Sequence, residues 1–242
     1  MRYRLIVEYD GTEFHGWQRQ PGLRTVQATL EEALARFLGH AACVAAAGRT
    51  DAGVHASGQV VSFASDRAVA CGALCRALNA LTPDDVAVRA ADTVPEEFDV
   101  RRAARGRRYV YRLWTRRELS PFWRRYAWHI PWSLDATSMQ RAAAQLVGEH
   151  DFSSFRAAAC DALHPVRRVD RSELARSGEL LVYEIEATAF LRHMVRNIVG
   201  TLVEIGSGRR SEDIAALLAA RDRTQAAATA PPHGLCLVEI RY

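Results

Sequence analysis

The chain has 242 residues, 49% hydrophobic and 25% charged, which are the proportions of a globular protein able to bury one large core or two small ones. Its net charge is only +4, so the overall balance says little about a polyanionic partner. All 32 basic residues are arginine, which excludes every chemistry that requires a lysine: a Schiff base, a phosphate-binding P-loop, a kinase-type strand lysine.

Further exclusions come from pattern. No apolar run is long enough to span a bilayer. The opening residues Met1 to Glu8 carry charges inside their apolar pattern, unlike a signal peptide, so no membrane association and a cytoplasmic location are expected. The five cysteines form no Cys-x-x-Cys pair and the eight histidines no His-x-x-x-His pair, so no metal is expected. Cys71 and Cys75, one helical turn apart, read as small core residues.

In chain order, residues 3–9 alternate as a strand, with Tyr3, Leu5, Val7 and Tyr9 on one face. Residues 25–38 read as an amphipathic helix stopped by Gly39. Two strands are predicted over 41–47 and 59–63. Between them runs Gly48-Arg49-Thr50-Asp51-Ala52-Gly53-Val54-His55. This segment places one acid, Asp51, on a tight turn two residues after an arginine. Asp and Gly are common in plain turns. An acid held between two buried strands also suits a nucleophile or general base, and both readings stand at this level. A helix over 69–80 and a strand over 86–90 complete a β-α-β-β-α-β outline.

The second half opens with a basic strand near 107–115. Residues 101–132 hold ten arginines and one acid, Glu118, interleaved with Tyr109, Tyr111, Trp114, Phe122, Trp123, Tyr126, Trp128 and Trp132. Arginine forks match phosphate oxygens and aromatic faces stack on bases, so this stretch points to RNA or DNA. A strand with solvated arginines outside and aromatics inside would read similarly. Helices near 136–147, 191–205 and 211–220 and strands over 180–189 and 235–241 follow. Arg192 and Arg196 lie near the start of the 191–205 helix. This mixture indicates an α+β fold with a mostly antiparallel sheet. The predicted domains are 1–104, carrying the Asp51 loop, and 105–242, carrying the basic, aromatic strand.

Five segments in order resemble the TruA family of tRNA pseudouridine synthases. They are Tyr9-Asp10-Gly11 with Phe14, Gly16-Trp17-Gln18 and Gln20; Gly48 to His55; Arg107-Arg108-Tyr109-Val110-Tyr111; Phe190 to Asn197; and Gly234-Leu235. Cys236 departs from the family pattern, where an aromatic is commoner. The resemblance implies two similar α+β domains sharing a mostly antiparallel sheet flanked by helices, and a homodimer that grips tRNA. It implies isomerisation of uridines 38, 39 and 40 of the anticodon stem-loop. Asp51 would be the catalytic carboxylate, paired with Arg196, which by sequence alone reads better as a surface residue at a helix end. Arg49 would enter the RNA stem, Tyr109 would stack on the flipped uracil, and Leu235 would wall its far side.

The reaction breaks the C1′–N1 bond, turns the base and rejoins it through C5. Nothing is oxidised and no group is lost, so no cofactor is expected. Attack at C1′, addition to the base and a glycal route all remain open from the sequence. Base extrusion costs on the order of a few kcal/mol, offset by stacking and phosphate contacts. Two rivals are a non-catalytic RNA-binding or chaperone protein and an aspartate-dependent phosphotransferase. The latter needs an Asp-x-Asp-x-Thr loop that positions 49 and 53, Arg and Gly, do not provide.

Overall fold

The structure, a computed structural model, describes residues 1–158, 160 and 162–242. It divides into two compact units, Met1–Arg105 with Cys236–Tyr242, and Gly106–Leu235. The final strand thus groups with the first unit rather than with residues 105–242. The cause is pairing: Cys236 and Leu237 run parallel to His55 and Ala56.

The first unit is built on strands β1 (Arg2–Tyr9), β2 (Ala45–Ala46), β3 (His55–Ala64), β4 (Val86–Val94) and β10 (Leu235–Arg241), with helices α1 (Val26–Leu38) and α2 (Cys71–Leu81). Sheet order is β4-β1-β3-β10, with β2 on β3. The alternation of β1 is realised: Tyr3, Leu5, Val7 and Tyr9 are buried. Thr25 caps α1 by accepting from the Ala28 amide, and Gly39 ends the helix at φ 83, a left-handed turn that glycine adopts without strain. Asn79 on α2 exchanges two hydrogen bonds with the backbone of Val88, fixing α2 to β4.

Two expectations for this unit need correction. The strand over 41–47 shrinks to Ala45–Ala46 because side chains of α1 take its backbone partners: Val44 donates to Glu31 at 3.0 Å and accepts from Gln27 at 3.2 Å. Cys71 and Cys75 are half-exposed, and α2 buries Leu74 and Leu78 instead.

The second unit holds β5 (Gly106–Trp114), β6 (Trp128–His129), β7 (Gly148–Asp151), β8 (Val166–Ser177) and β9 (Leu180–Ala187), with α3 (Ala136–Ala144), α4 (Met194–Gly206) and α5 (Ile214–Ala220). The antiparallel order is β5-β9-β8-β7, and β6 adds in parallel to β5. Helix α4 begins at Met194, three residues later than predicted, because His193 sits at φ 63 and cannot continue a right-handed helix backwards. The architecture is α+β with mostly antiparallel strands, as expected.

Candidate active site

The Asp51 loop is held mainly by residues distant from it in sequence. At its start, Ala47 donates to Val60 O, and the Gln59 side chain donates to Gly48 O at 2.8 Å. Thr50 turns inward, 8% exposed, and its hydroxyl meets the Tyr9 hydroxyl at 2.7 Å. Its carbonyl accepts from Trp17. The Val54 amide closes the turn on Asp51 O, and Gly53, at φ 76, donates to Phe14 O. Each flank of Asp51 is therefore clamped by the segment that follows β1. Around it Arg49 is exposed and Asp51 half-buried, so the loop alternates outward, inward and accessible side chains.

Close approach explains the glycines of that segment. A Cβ on Gly11 would lie 2.1 Å from Val54 O. Gly16 stands at φ 88, and a Cβ there would lie 2.9 Å from Thr50 O. Beside them, buried His55 receives the Gly11 amide on Nδ1 at 3.0 Å, and Asp10 Oδ1 lies 3.1 Å from the same nitrogen. Asp10 is in turn fixed by the Thr12 amide and hydroxyl. Burial raises the Tyr9 phenol far above its ordinary value, so it is a neutral structural group at physiological pH. Tyr9, Thr50, Gln59 and His55 are positioning residues to which the sequence reading gave no role. The only signal for Tyr9, Thr50 and His55 was their place in the opening and loop motifs, and Gln59 carried none beyond the strand over 59–63.

Tyr109, Arg196 and Leu235 belong to the second unit. Tyr109 is 8% exposed on β5, and its ring meets Phe190 edge-to-face at 5.0 Å. Arg196, in the first turn of α4, donates through Nε to Ala230 O at 2.8 Å, and the Ala230 amide returns a bond to Arg196 O. The next carbonyl, Pro231 O, accepts from the Tyr111 hydroxyl at 2.8 Å, and a Cβ on Gly234 would strike the Tyr111 ring. The fold thus brings Arg196, β5 and the approach to Leu235 together through residues 230–234. Leu235 itself is buried. Asp51 and Arg49 share their loop in the first unit.

A family model described as tRNA pseudouridine synthase matches residues 5–101 and 142–242. The chain belongs to the tRNA pseudouridine synthase family. Full-length relatives agree. A protein of Myxococcus xanthus named tRNA pseudouridine synthase A is 50% identical over 100% of this chain and 92% of its own length. Proteins of the same name from Methylobacterium sp. (strain 4-46) and Geobacter sulfurreducens are 49% and 45% identical, over 100% and 99% of this chain and 97% and 98% of theirs. As a tRNA pseudouridine synthase the protein is an isomerase acting on tRNA. The matched segments contain Arg49, Asp51, Arg196 and Leu235, whereas Tyr109 and the arginine–aromatic stretch from Arg102 onward fall between them. Among the described residues no cluster of three His, Cys, Asp or Glu could hold a metal, and no helix is long and apolar enough to cross a membrane.

Proposed function

We propose that this enzyme converts uridines 38, 39 and 40 of the tRNA anticodon stem-loop to pseudouridine, with the Asp51 carboxylate as nucleophile on a uridine flipped out of the stem. The supporting observation is the fixing of Asp51 from both sides, by the Trp17–Thr50 and Phe14–Gly53 backbone bonds, while its side chain stays half-buried. A carboxylate held in one place needs little reorganisation to meet a reacting carbon. The C1′–N1 bond breaks, C5 bonds to C1′, the C5 proton departs and N1 gains one. Atoms and electrons balance without an added reagent, so no cofactor is assigned.

The remaining roles follow from chemistry and the family resemblance. Arg196 supplies the cation that keeps Asp51 ionised, and its Nε bond to Ala230 directs the guanidinium. Exposed Arg49 enters the stem and holds the base out. Tyr109, its ring set by Phe190, stacks on the uracil, and Leu235 walls the other face. The arginines of 101–125 bind the RNA backbone, and the working form is a cytoplasmic homodimer. Asp51→Asn is expected to fold and bind tRNA but form no pseudouridine and release no tritium from tRNA labelled at uracil C5. Retained conversion in that variant sinks the assignment. A wild-type protein that binds tRNA without releasing tritium would be the non-catalytic RNA binder.

A further inference from the structure

Arg156, Arg221 and Arg223 line one surface recess of about 290 Å³ in the second unit, with Ser153 and Asp222 among its other walls. Asp222 stays ionised, with Oδ1 accepting from the Thr224 amide at 2.9 Å and Oδ2 from the Thr224 hydroxyl at 2.7 Å, and it offsets one positive charge. Asp151 lies 3.3 Å from Arg221 Nε, so three guanidiniums face two carboxylates and the recess stays positive. Arg223 is fixed by neutral acceptors alone: Nη1 donates to Ala226 O, and Nη2 to Asn197 Oδ1 and Thr229 Oγ1. These bonds set its position without cancelling its charge. Arg156 makes no ion pair within 4 Å among the described residues, although its charge, after that of Arg221, helps to hold the Asp151 carboxyl below its ordinary value. Arg221 ends α5 at φ 50, ψ 29, a left-handed conformation that side chains other than glycine avoid. The fold therefore gathers three guanidiniums at one place, in excess of the two carboxylates beside them and at the expense of a strained backbone.

Such a cluster is stabilised by an anion, and the planar guanidinium fork matches two oxygens of a phosphate. We propose that this recess binds a phosphate group of the tRNA backbone and so anchors the substrate, with Arg156 as the principal ligand. The inference rests on tRNA being the substrate, and it adds a contact that the reaction at uridine does not itself require. Arg156 makes no side-chain hydrogen bond among the described residues, so its replacement breaks none of the bonds described there.

The test is tRNA affinity across a series of salt concentrations for wild type, Arg156→Gln and Arg156→Lys. Arg156→Gln is expected to bind about tenfold more weakly, with a log–log salt slope shallower by about 1, and Arg156→Lys to keep the slope. The single-turnover rate at saturating tRNA should not change. A folded Arg156→Gln protein with wild-type affinity and slope overturns the proposal. Arg221→Gln, expected to move both quantities in the same direction, serves if Arg156→Gln fails to fold, and wild-type values there overturn it equally. Replacing chloride by inorganic phosphate at constant ionic strength identifies the source. A larger loss of tRNA binding in wild type than in Arg156→Gln means that the recess also takes free phosphate. Equal losses in the two, with the Arg156 slope effect retained, assign it to the backbone phosphodiester alone. A wild-type enzyme that shows the slope difference yet forms no pseudouridine would refute the reaction assigned to Asp51 and leave the recess standing.

Discussion

Gly11→Ala separates the effect of the clamp on the Asp51 loop from the chemistry of the loop itself. Gly11 does not stand at positive φ, so only space decides the outcome. The added Cβ would lie 2.1 Å from Val54 O and 2.5 Å from Val54 C, both backbone atoms that cannot rotate away. Ordinary contact needs about 3.5 Å, so the Val54 peptide must retreat by more than an ångström. Val54 N closes the turn on Asp51 O, and the retreat is transmitted to Asp51, the proposed nucleophile. Overpacking of this kind costs about 2–3 kcal/mol, which for a chain of this length lowers Tm by about 8 °C. A displacement of about 1 Å at the reacting group lowers the chemical rate by about a hundredfold. Gly48→Ala is the control in the same loop: a Cβ there meets nothing within 4 Å. Its stability should stay within about 0.5 kcal/mol of wild type. Thermal melts and single-turnover pseudouridine formation read both quantities. Wild-type stability and rate in Gly11→Ala, or equal losses of stability in Gly48→Ala, would refute the reasoning.

Tyr9→Phe strands the buried Thr50 hydroxyl and should cost about 1–3 kcal/mol, whereas Tyr9→Phe/Thr50→Val should cost less than the sum of the two single changes in denaturant unfolding. Burial raises the phenols of Tyr9, Tyr111 and Tyr183 well above 10. Their neutral forms therefore stabilise the fold fully below pH 10, and that stability falls as the unfolded chain ionises above it. Three such groups give a decline of about 4 kcal/mol per pH unit beyond about pH 10, and stability flat from pH 9 to 11 would contradict it. Affinity for tRNA should fall steeply with salt, because each arginine–phosphate contact releases counterions, and a flat response would remove 101–125 as the RNA surface.

Much of the fold is legible where burial has a period. In β1 every second residue faces the core, and in α1 Val26, Leu30, Ala33, Leu34 and Leu38 form one stripe. The same signal is absent from β8, where of Val166–Ser177 only Val169 and Ser172 are buried. That strand is defined by its pairing with β9 and by the Ser172–Tyr183 hydroxyl contact at 2.8 Å, neither of which leaves a mark in a local window. The strand expected over 41–47 failed for the complementary reason. Its apolar composition is strand-like, but Glu31 and Gln27 take the hydrogen bonds a neighbouring strand would have used.

The candidate site divides along the same line. Asp51, Arg49, Tyr109, Arg196 and Leu235 are visible as residue types within motifs, but the reason the loop stands still is not. Gly11 matters because of Val54, Gly16 because of Thr50, and Tyr9 because of the Thr50 hydroxyl, all separated by more than thirty residues of chain. An Asp-Ala-Gly turn alone has no fixed orientation, since its own i to i+3 bond leaves both flanks free to pivot. The bonds from Phe14 and Trp17 and the two glycine contacts remove that freedom. The opening segment and the aspartate loop are therefore one structural device. A change in the first should affect catalysis as a change in the second does, by moving the carboxylate while leaving its chemistry unaltered.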